Sequence, residues 1–433
     1  MILLEKAVSI VRTLKDTGHQ AVFAGGCVRD KIAGRSFDDI DIATSAIPDI
    51  VESLFEHTLS VGKSFGVIVV VDGEDQFEVA TFRTDSAYGD GRRPDSVTFS
   101  SMKEDACRRD ITINGMFYDP IESVLYDYVG GEKDFESKII RLIGNPEARI
   151  GEDKLRMMRV IRFAVRFDFE IEPDTLTAVE RHASEILTIS VERIFEELVK
   201  ILREGRFDRS ISLLMKTGLL GHILPEVQAM AGVEQPVDYH PEGDVLIHTI
   251  KAMEHLPKDA SDELLIATLL HDVGKPRTKN FEDRIRFNGH ESVGAHIAGD
   301  ILRRFKASND FADHVVLLIK NHMKFMVVEK MKKSTLKRFV RVDRFSEYMT
   351  LHYADCMSSH GGLESHEFVK AFMEKTEPDE IRPMKLITGE DLKILGIPPG
   401  PIYRTIIVEV EDEQLEGRLK TREAALEYVK KFM

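Results

Sequence analysis

Val22-Phe23-Ala24-Gly25-Gly26-Cys27-Val28-Arg29-Asp30, followed by Phe37-Asp38-Asp39-Ile40-Asp41-Ile42-Ala43-Thr44, is the stretch that decides the fold. The apolar triplet reads as a short buried strand. Gly25 and Gly26 then let the backbone turn tightly and present N–H groups to a phosphate, and Arg29 falls near the same anion. On a second strand Asp39 and Asp41 are two residues apart and project from one face, with Ile40 and Ile42 on the other. Two carboxylates forced together are costly unless a cation joins them. Hard oxygen ligands of this kind suit Mg²⁺, and two such ions can activate an attacking hydroxyl while neutralising a leaving pyrophosphate. For either motif alone, an Asp-rich turn with a solvated edge is the plain alternative.

Further along, residues 147–167 place Glu152, Asp153, Arg156, Arg159 and Arg162 at helical spacing, so one helix face is expected to carry acceptors beside donors. An ionised carboxylate only accepts hydrogen bonds and a guanidinium only donates them, so Asp153 and Arg156 together can read the edge of a nucleobase. Cytosine and adenine each offer an amine donor beside a ring acceptor, whereas guanine and uracil present the reverse. The competing reading is a salt-bridged surface helix, with Glu152 and Arg156 an i,i+4 pair worth about 0.2 to 0.5 kcal/mol.

These motifs, with Arg108-Arg109-Asp110-Ile111-Thr112-Ile113-Asn114-Gly115 and Asp127-Tyr128-Val129-Gly130-Gly131-Glu132-Lys133-Asp134, resemble in type and order those of bacterial class II tRNA nucleotidyltransferases over roughly residues 20–230. The resemblance implies an α+β chain: a polymerase-beta-like head with a mixed sheet, followed by an all-α neck and body. It implies transfer of CMP or AMP from CTP or ATP to a tRNA 3′ end without a nucleic-acid template. Carried over position by position, Asp39 and Asp41 would hold Mg²⁺, Gly26 and Arg29 would bind triphosphate beside Gly25, and Asp153 and Arg156 would select the base. Arg159 and Arg162 would support that pocket or the phosphates. Arg108 and Arg109 are candidates for triphosphate contact, while Asp110 and Asn114 would position the ribose or the Arg helix; structural ion pairing is the alternative. Glu78, on the probable strand Phe77–Arg83, could add a third carboxylate, or simply face solvent. The Gly-rich, charged segment 83–94 reads as a loop beside the site. In the family such a loop accompanies the switch from adding C to adding A, which argues against a CC-only enzyme. Poly(A) polymerases share the head, but Val61–Gly66 lacks the basic run of that branch. Lys200, Arg203, Arg206 and Arg209 could touch RNA phosphates or form a solvated face.

Beyond Pro236 a second constellation begins at Tyr239-His240-Pro241-Glu242 and runs through His248, Leu269-Leu270-His271-Asp272, Gly289-His290-Glu291, His296, His322 and Ala354-Asp355. Helical periodicity between these residues sets them on a helical scaffold. Imidazole with carboxylate suits a divalent transition metal or Mg²⁺ and a nucleophilic water. His248, His271, Asp272 and Asp355 resemble the H, HD and D positions of HD phosphohydrolases, whose members can lose metal or activity; a chain that is chiefly such a hydrolase is the alternative from a different class. Leu386–Leu392 and Leu395–Pro401 read as helix, turn, helix. The expected domains are a head (1–140), neck and body (141–235), HD domain (236–360) and helical tail (361–433).

At 433 residues and 43% hydrophobic, the chain can bury several cores. Cys27, Cys107 and Cys356 lack metal-ligand spacing and are expected as reduced thiols. The N-terminal residues show no basic region followed by a long apolar run, and no stretch approaches a membrane-spanning length, so no membrane association and a cytoplasmic location are expected. A net charge of −15 disfavours indiscriminate nucleic-acid binding but leaves room for local basic groups to grip one structured RNA.

Overall fold

The computed structural model describes residues 2–37, 39–85, 97–236, 243–281 and 283–433. It divides into two compact units, Met1–Gln228 with Arg304–Lys306, and Ala229–Arg303 with Ala307–Met433.

In the first unit α1 (Ile2–Asp16) leads into β1 (Ala21–Ala24), α2 (Gly26–Ile32), β2 (Asp41–Thr44), α3 (Pro48–Leu54), β3 (Thr58–Gly62), β4 (Val67–Asp72) and β5 (Asp75–Thr81). A short antiparallel pair, β6 (Arg83–Asp85) with β7 (Val97–Phe99), precedes α4 (Met102–Arg108), β8 (Phe117–Asp119) and β9 (Val124–Tyr126). Seven strands form one sheet in the order β3-β4-β5-β2-β1-β8-β9. Only β2 and β5 run parallel in it; the other neighbours are antiparallel, so the sheet is mixed, as the fold class requires. Val22, Phe23, Ile42, Ile68, Val79 and Phe117 are buried against it. Central strands buried on both faces read as near-continuous apolar runs, which is why Ala21–Ala24 shows no alternation.

The register places Ala24 opposite Asp41 and Ile42 beside Val79. Asp41 therefore opens β2, while Asp39 precedes the strand and is exposed. Expecting both on one strand is corrected here: pairing with β1 ends at Ala24 opposite Asp41 and pairing with β5 begins at Ile42, so Asp39 lies outside both ladders. Residues 86–94 of the expected loop, and the segment Tyr239–Glu242, lie outside the described residues.

Helices complete this unit: α5 (Gly131–Glu136), α6 (Pro146–Glu152), α7 (Arg156–Phe167), α8 (Pro173–His182), α9 (Val191–Arg203), α10 (Phe207–Lys216), α11 (Leu219–Ile223) and α12 (Pro225–Gln228). The expected single helix through 147–167 is two. α6 stops at Glu152, and Asp153 has an extended backbone with φ −145°. Its side chain accepts the Leu155 N–H at 3.0 Å. A short Asp side chain bonding the backbone two residues on offers the chain an alternative to continuing the helix.

The second unit is mainly helical: α13 (Val245–Glu254), α14 (Asp262–Leu270), α15 (Lys275–Thr278), α16 (His290–Arg304), α17 (Asn309–Asn321), α18 (Lys333–Val340) and α19 (Phe345–Ser358), then α20 (Glu364–Lys375) and α21 (Pro378–Ile381). Leu264 to Leu270 of α14 are all buried, as befits a helix that is apolar on every side and packed within others. The tail forms the expected helix, turn, helix as α22 (Gly389–Ile394) and α23 (Pro401–Leu415), followed by α24 (Arg422–Val429), around a core of Leu392, Ile406, Val410 and Val429. Among the described residues no helix is long and apolar enough to cross a membrane.

Candidate active site and metal centre

The turn from β1 into α2 is made by Gly25 at φ +67°, a backbone conformation that L side chains rarely adopt. A Cβ there would also meet the Asp41 carboxylate and the Arg109 guanidinium, each at 3.4 Å. Glycine thus brings backbone, acid and base to one point. Burial, with Asp39 and then Glu78 nearby, pushes the Asp41 carboxyl up to about 6, against the opposing pull of Arg109. Three carboxylates gathered beside one guanidinium are the donor set expected of a divalent-cation site.

Beside Asp41 opens a cavity of about 450 Å³. Gly25, Gly26, Arg29, Arg108, Arg109, Asp110 and Asn114 line it from the head. Asp153, Leu155, Arg156, Arg159, Phe163 and Arg193 line it from the helices. Six arginines against three aspartates make the lining cationic, as an anionic ligand requires.

Each arginine is held. Arg29 donates to Asn114 Oδ1 at 2.6 Å and to Asp30 Oδ1 at 3.1 Å, and lies 5.1 Å from the Phe163 and Phe167 ring centres. Asn114 donates in turn to Asp110 Oδ1 at 3.3 Å. The other Asp110 oxygen accepts from Arg159 Nε at 2.7 Å. Burial opposes ionisation of Asp110, but Arg159 and the Ile111 N–H win and hold its carboxyl at about 2. Asp110, braced by Asn114, therefore ties α7 to the head through Arg159.

Arg108 and Arg109 grip opposite oxygens of the buried Asp105, at 2.8 and 3.1 Å. Sequence reasoning passed over Asp105, although its spacing three and four residues before two arginines on a helix carried the signal. Arg156 donates to the Arg149 carbonyl at 2.9 Å, the Arg108 carbonyl at 3.3 Å and the Glu152 carboxylate. Asp153 accepts instead from Arg193 at 2.7 Å, a residue on another helix that spacing along the chain does not single out. Arg162 does not line the cavity. It pairs at 3.0 Å with Glu197, buried on α9. Arg206 pairs with Asp168 at 2.9 Å and Arg209 donates to the Phe169 carbonyl at 2.6 Å, while Lys200, Arg203 and Arg206 are exposed.

In the second unit two groups of possible metal ligands adjoin: His248, His271 and Asp355, then Asp272, His290 and His322. His271 Nδ1, His290 Nδ1 and His322 Nδ1 face the carbonyls of Thr268, Phe287 and Ile319 at 2.8, 2.8 and 2.6 Å. A carbonyl only accepts, so each Nδ1 carries a proton and a neutral ring aims its Nε2 lone pair inward. The Nε2 atoms of His248 and His271 approach to 3.3 Å, and those of His290 and His322 to 3.2 Å. Burial, then His271 and His290, push the His322 imidazole down to about 3. Paired imidazole nitrogens beside buried carboxylates fit cations, and the carbonyls behind His271, His290 and His322 fix their tautomers as metal-ligating histidines require. Asp272 reaches both groups, 3.3 Å from His271 Nε2 through Oδ2 and 3.4 Å from His290 Nε2 through Oδ1. His290 and His322 thus join the four expected ligands, whereas His296 is exposed and apart. A cavity of about 670 Å³ reaches Asp272, His290, His322 and Asp355, and carries Lys275, Arg284 and Arg286 with Met323 and Met326.

Residues 21–141 match the family model of the poly A polymerase head domain, residues 168–230 that of the probable RNA and SrmB-binding site of polymerase A, and residues 238–348 that of the HD domain. A CCA-adding enzyme of Ligilactobacillus salivarius is 30% identical over 432 residues, covering 99% of this chain and 96% of that protein. The chain belongs to the CCA-adding enzyme family. Over 214 residues, 49% of the chain, it is 48% identical to the CCA-adding enzyme of Bacillus pumilus. That match spans about half, 53%, of the Bacillus protein. The crystal structure of the Bacillus stearothermophilus CCA-adding enzyme in complex with CTP superimposes with a TM-score of 0.75 at 27% identity, covering 99% of this chain and 98% of that one. Family membership accounts for the head, the helices that match a probable RNA-binding site and the HD domain in one chain.

Proposed function

We propose that this chain is a tRNA 3′-end nucleotidyltransferase that adds CMP and then AMP, taken from CTP and ATP, without a nucleic-acid template. The observation that carries the reading is the crowding of Asp41 by Asp39 and Glu78 at the mouth of a cavity lined by six arginines. Mg²⁺ held by Asp39 and Asp41 would neutralise charge at the reacting phosphate and on the leaving pyrophosphate. Arg29, Arg108 and Arg109 hold the triphosphate. Asp153 accepts from the amine of cytosine or adenine, and Arg156 donates to a ring acceptor. The tRNA 3′ hydroxyl then forms a bond to the α-phosphorus as the bond to the bridging oxygen breaks, and its proton leaves to solvent. The helices matched to an RNA-binding module supply the tRNA contact, with Lys200 and Arg203 on the exposed face. Head, neck and body, HD domain and tail divide the work, and the cytoplasm is where it is done.

Extension of a tRNA lacking its terminal CCA, with each nucleotide alone, tests this. CTP and ATP should be used and GTP and UTP refused, because each mismatched buried group costs about 1 to 3 kcal/mol. Efficient UMP incorporation by the wild type would overturn the reading; open-ended AMP addition would point to a poly(A) polymerase.

A second activity, phosphoester hydrolysis in the HD domain, is supported by two adjoining groups of histidines and carboxylates, of which Asp272, His290, His322 and Asp355 line one cavity. Divalent cations, Mg²⁺ or a transition metal, would supply Lewis acidity and an activated water there. Asp272 is placed to serve both ligand groups, and Lys275, 2.6 Å from it, offers a donor to a phosphate. Hydrolysis of a simple aryl phosphate, lost on chelation and restored by one added divalent ion, is the expected result; no hydrolysis with any such ion would remove this second activity.

A further inference from the structure

We infer that Arg193 is a positioning residue for base selection: it fixes the carboxylate of Asp153 in the orientation that accepts from cytosine and adenine. This rests on the reading of Asp153 given under Proposed function. Arg193 is the third residue of α9, whose buried Ile194, Leu198, Ile201 and Leu202 anchor the helix in the core. Its guanidinium lines the nucleotide cavity and donates to Asp153 Oδ2 at 2.7 Å, with the two side chains 14% and 15% exposed. The other oxygen, Oδ1, accepts the Leu155 N–H at 3.0 Å.

One donor on each oxygen stops the carboxylate from rotating. Every carboxylate oxygen has two lone-pair sites, so one on each remains for a ligand in the cavity. Asp153 needs this restraint more than a helical residue would, because it sits in the non-helical break between α6 and α7. One turn further along α9, Glu197 pairs with Arg162 of α7 at 3.0 Å, so a second ion pair of reversed polarity fixes the two helices in register. Arg193 is thereby held at a set distance from the base reader. A restrained acceptor opposite the carbonyl of uracil or guanine meets acceptor with acceptor and cannot turn away. A released one can. Losing Arg193 should therefore weaken CTP and ATP binding and relax discrimination together, leaving the chemistry of bound nucleotide largely intact.

The test measures KM and kcat for CTP, ATP and UTP on a tRNA lacking its CCA, for wild type, Arg193→Met and Arg193→Lys. In Arg193→Met, KM for CTP and ATP should rise about ten-fold, the preference for CTP over UTP should fall about ten-fold, and kcat should change by less than about three-fold. Arg193→Lys, which keeps one charged donor but not the planar fork, should recover part of the preference. If Arg193→Met does not fold, judged by its thermal transition, Arg193→Gln and the lysine variant carry the same comparison. Unchanged KM and unchanged CTP-over-UTP preference would overturn the inference, as would a fall in kcat alone. Failure of the underlying reading looks different: the wild type itself would not prefer CTP and ATP.

Discussion

At the scale of single residues, Asp110 shows how the site is held by buried charge. Its carboxyl ionises at about 2 in the fold, below the ordinary carboxylate value, because Arg159 and the Ile111 N–H outweigh burial. The folded state therefore favours the ionised form. That contribution is complete above about pH 4, the unfolded value, and is lost as pH falls through about 2. A shift of this size corresponds to roughly 2 kcal/mol. Asp110→Asn should lose about that much stability at neutral pH, measured by denaturant unfolding. The gap to wild type should narrow steadily as pH drops from about 4 toward 2. A gap independent of pH would show that packing, not charge, makes the contribution. Cys27 illustrates the opposite case: burial, and then the charge of Asp41, push its thiol up to about 12, so it stays an inert reduced thiol beside the acids.

Elements decide where these residues stand, and here the legibility of the sequence varied. The strand and turn through Gly25 were readable because a buried apolar run and two glycines each constrain the backbone, whereas the helix that follows was not. The mixed sheet and the helical units followed from the resemblance and were found. The break at Asp153 was not readable: residues 147–167 have helical periodicity on both sides of it, and what stops α6 is one side-chain bond to the Leu155 N–H. The partners of the arginines were also hidden, since Arg193 meets Asp153 across 40 residues of chain and Arg162 meets Glu197 on another helix. Spacing along one helix cannot show this. Arg162, expected to support the base pocket or the phosphates, ties two helices. In the HD domain, His290 and His322 were noticed as histidines, but only the fold shows that both share Asp272. Within α4, Asp105 holds Arg108 and Arg109 at once. Asp105→Asn keeps the shape and removes the charge, so both guanidinium groups should loosen and KM for CTP and ATP rise about five-fold or more in steady-state assays. Unchanged KM values would mean that neither arginine meets the triphosphate.

Across the whole molecule, a net charge of −15 coexists with a cavity that gathers six arginines. An acidic surface lowers indiscriminate RNA binding, and the concentrated cationic lining draws the anionic ligand to one place. The chain carries two cation-fitted sites, one in each compact unit, built from different ligands: carboxylates near the sheet, histidines with carboxylates among the helices. Because the two sites share no residue, their activities should separate. His271→Ala with Asp272→Ala should abolish phosphoester hydrolysis and leave nucleotide addition within about two-fold of wild type. Loss of both activities in that variant, with the fold intact, would argue for one shared function.

The measurement that bears most directly on the head is nucleotide addition by wild type, Asp39→Ala and Asp41→Ala, resolved to single nucleotides, on a tRNA lacking its CCA with CTP, with ATP and with both. The wild type should add CMP with CTP alone and finish with AMP only when ATP is also present, whereas neither variant should add anything while both keep their fold and any HD hydrolysis. Sustained addition by Asp41→Ala would contradict the placement of the cation, and with it the account of this site.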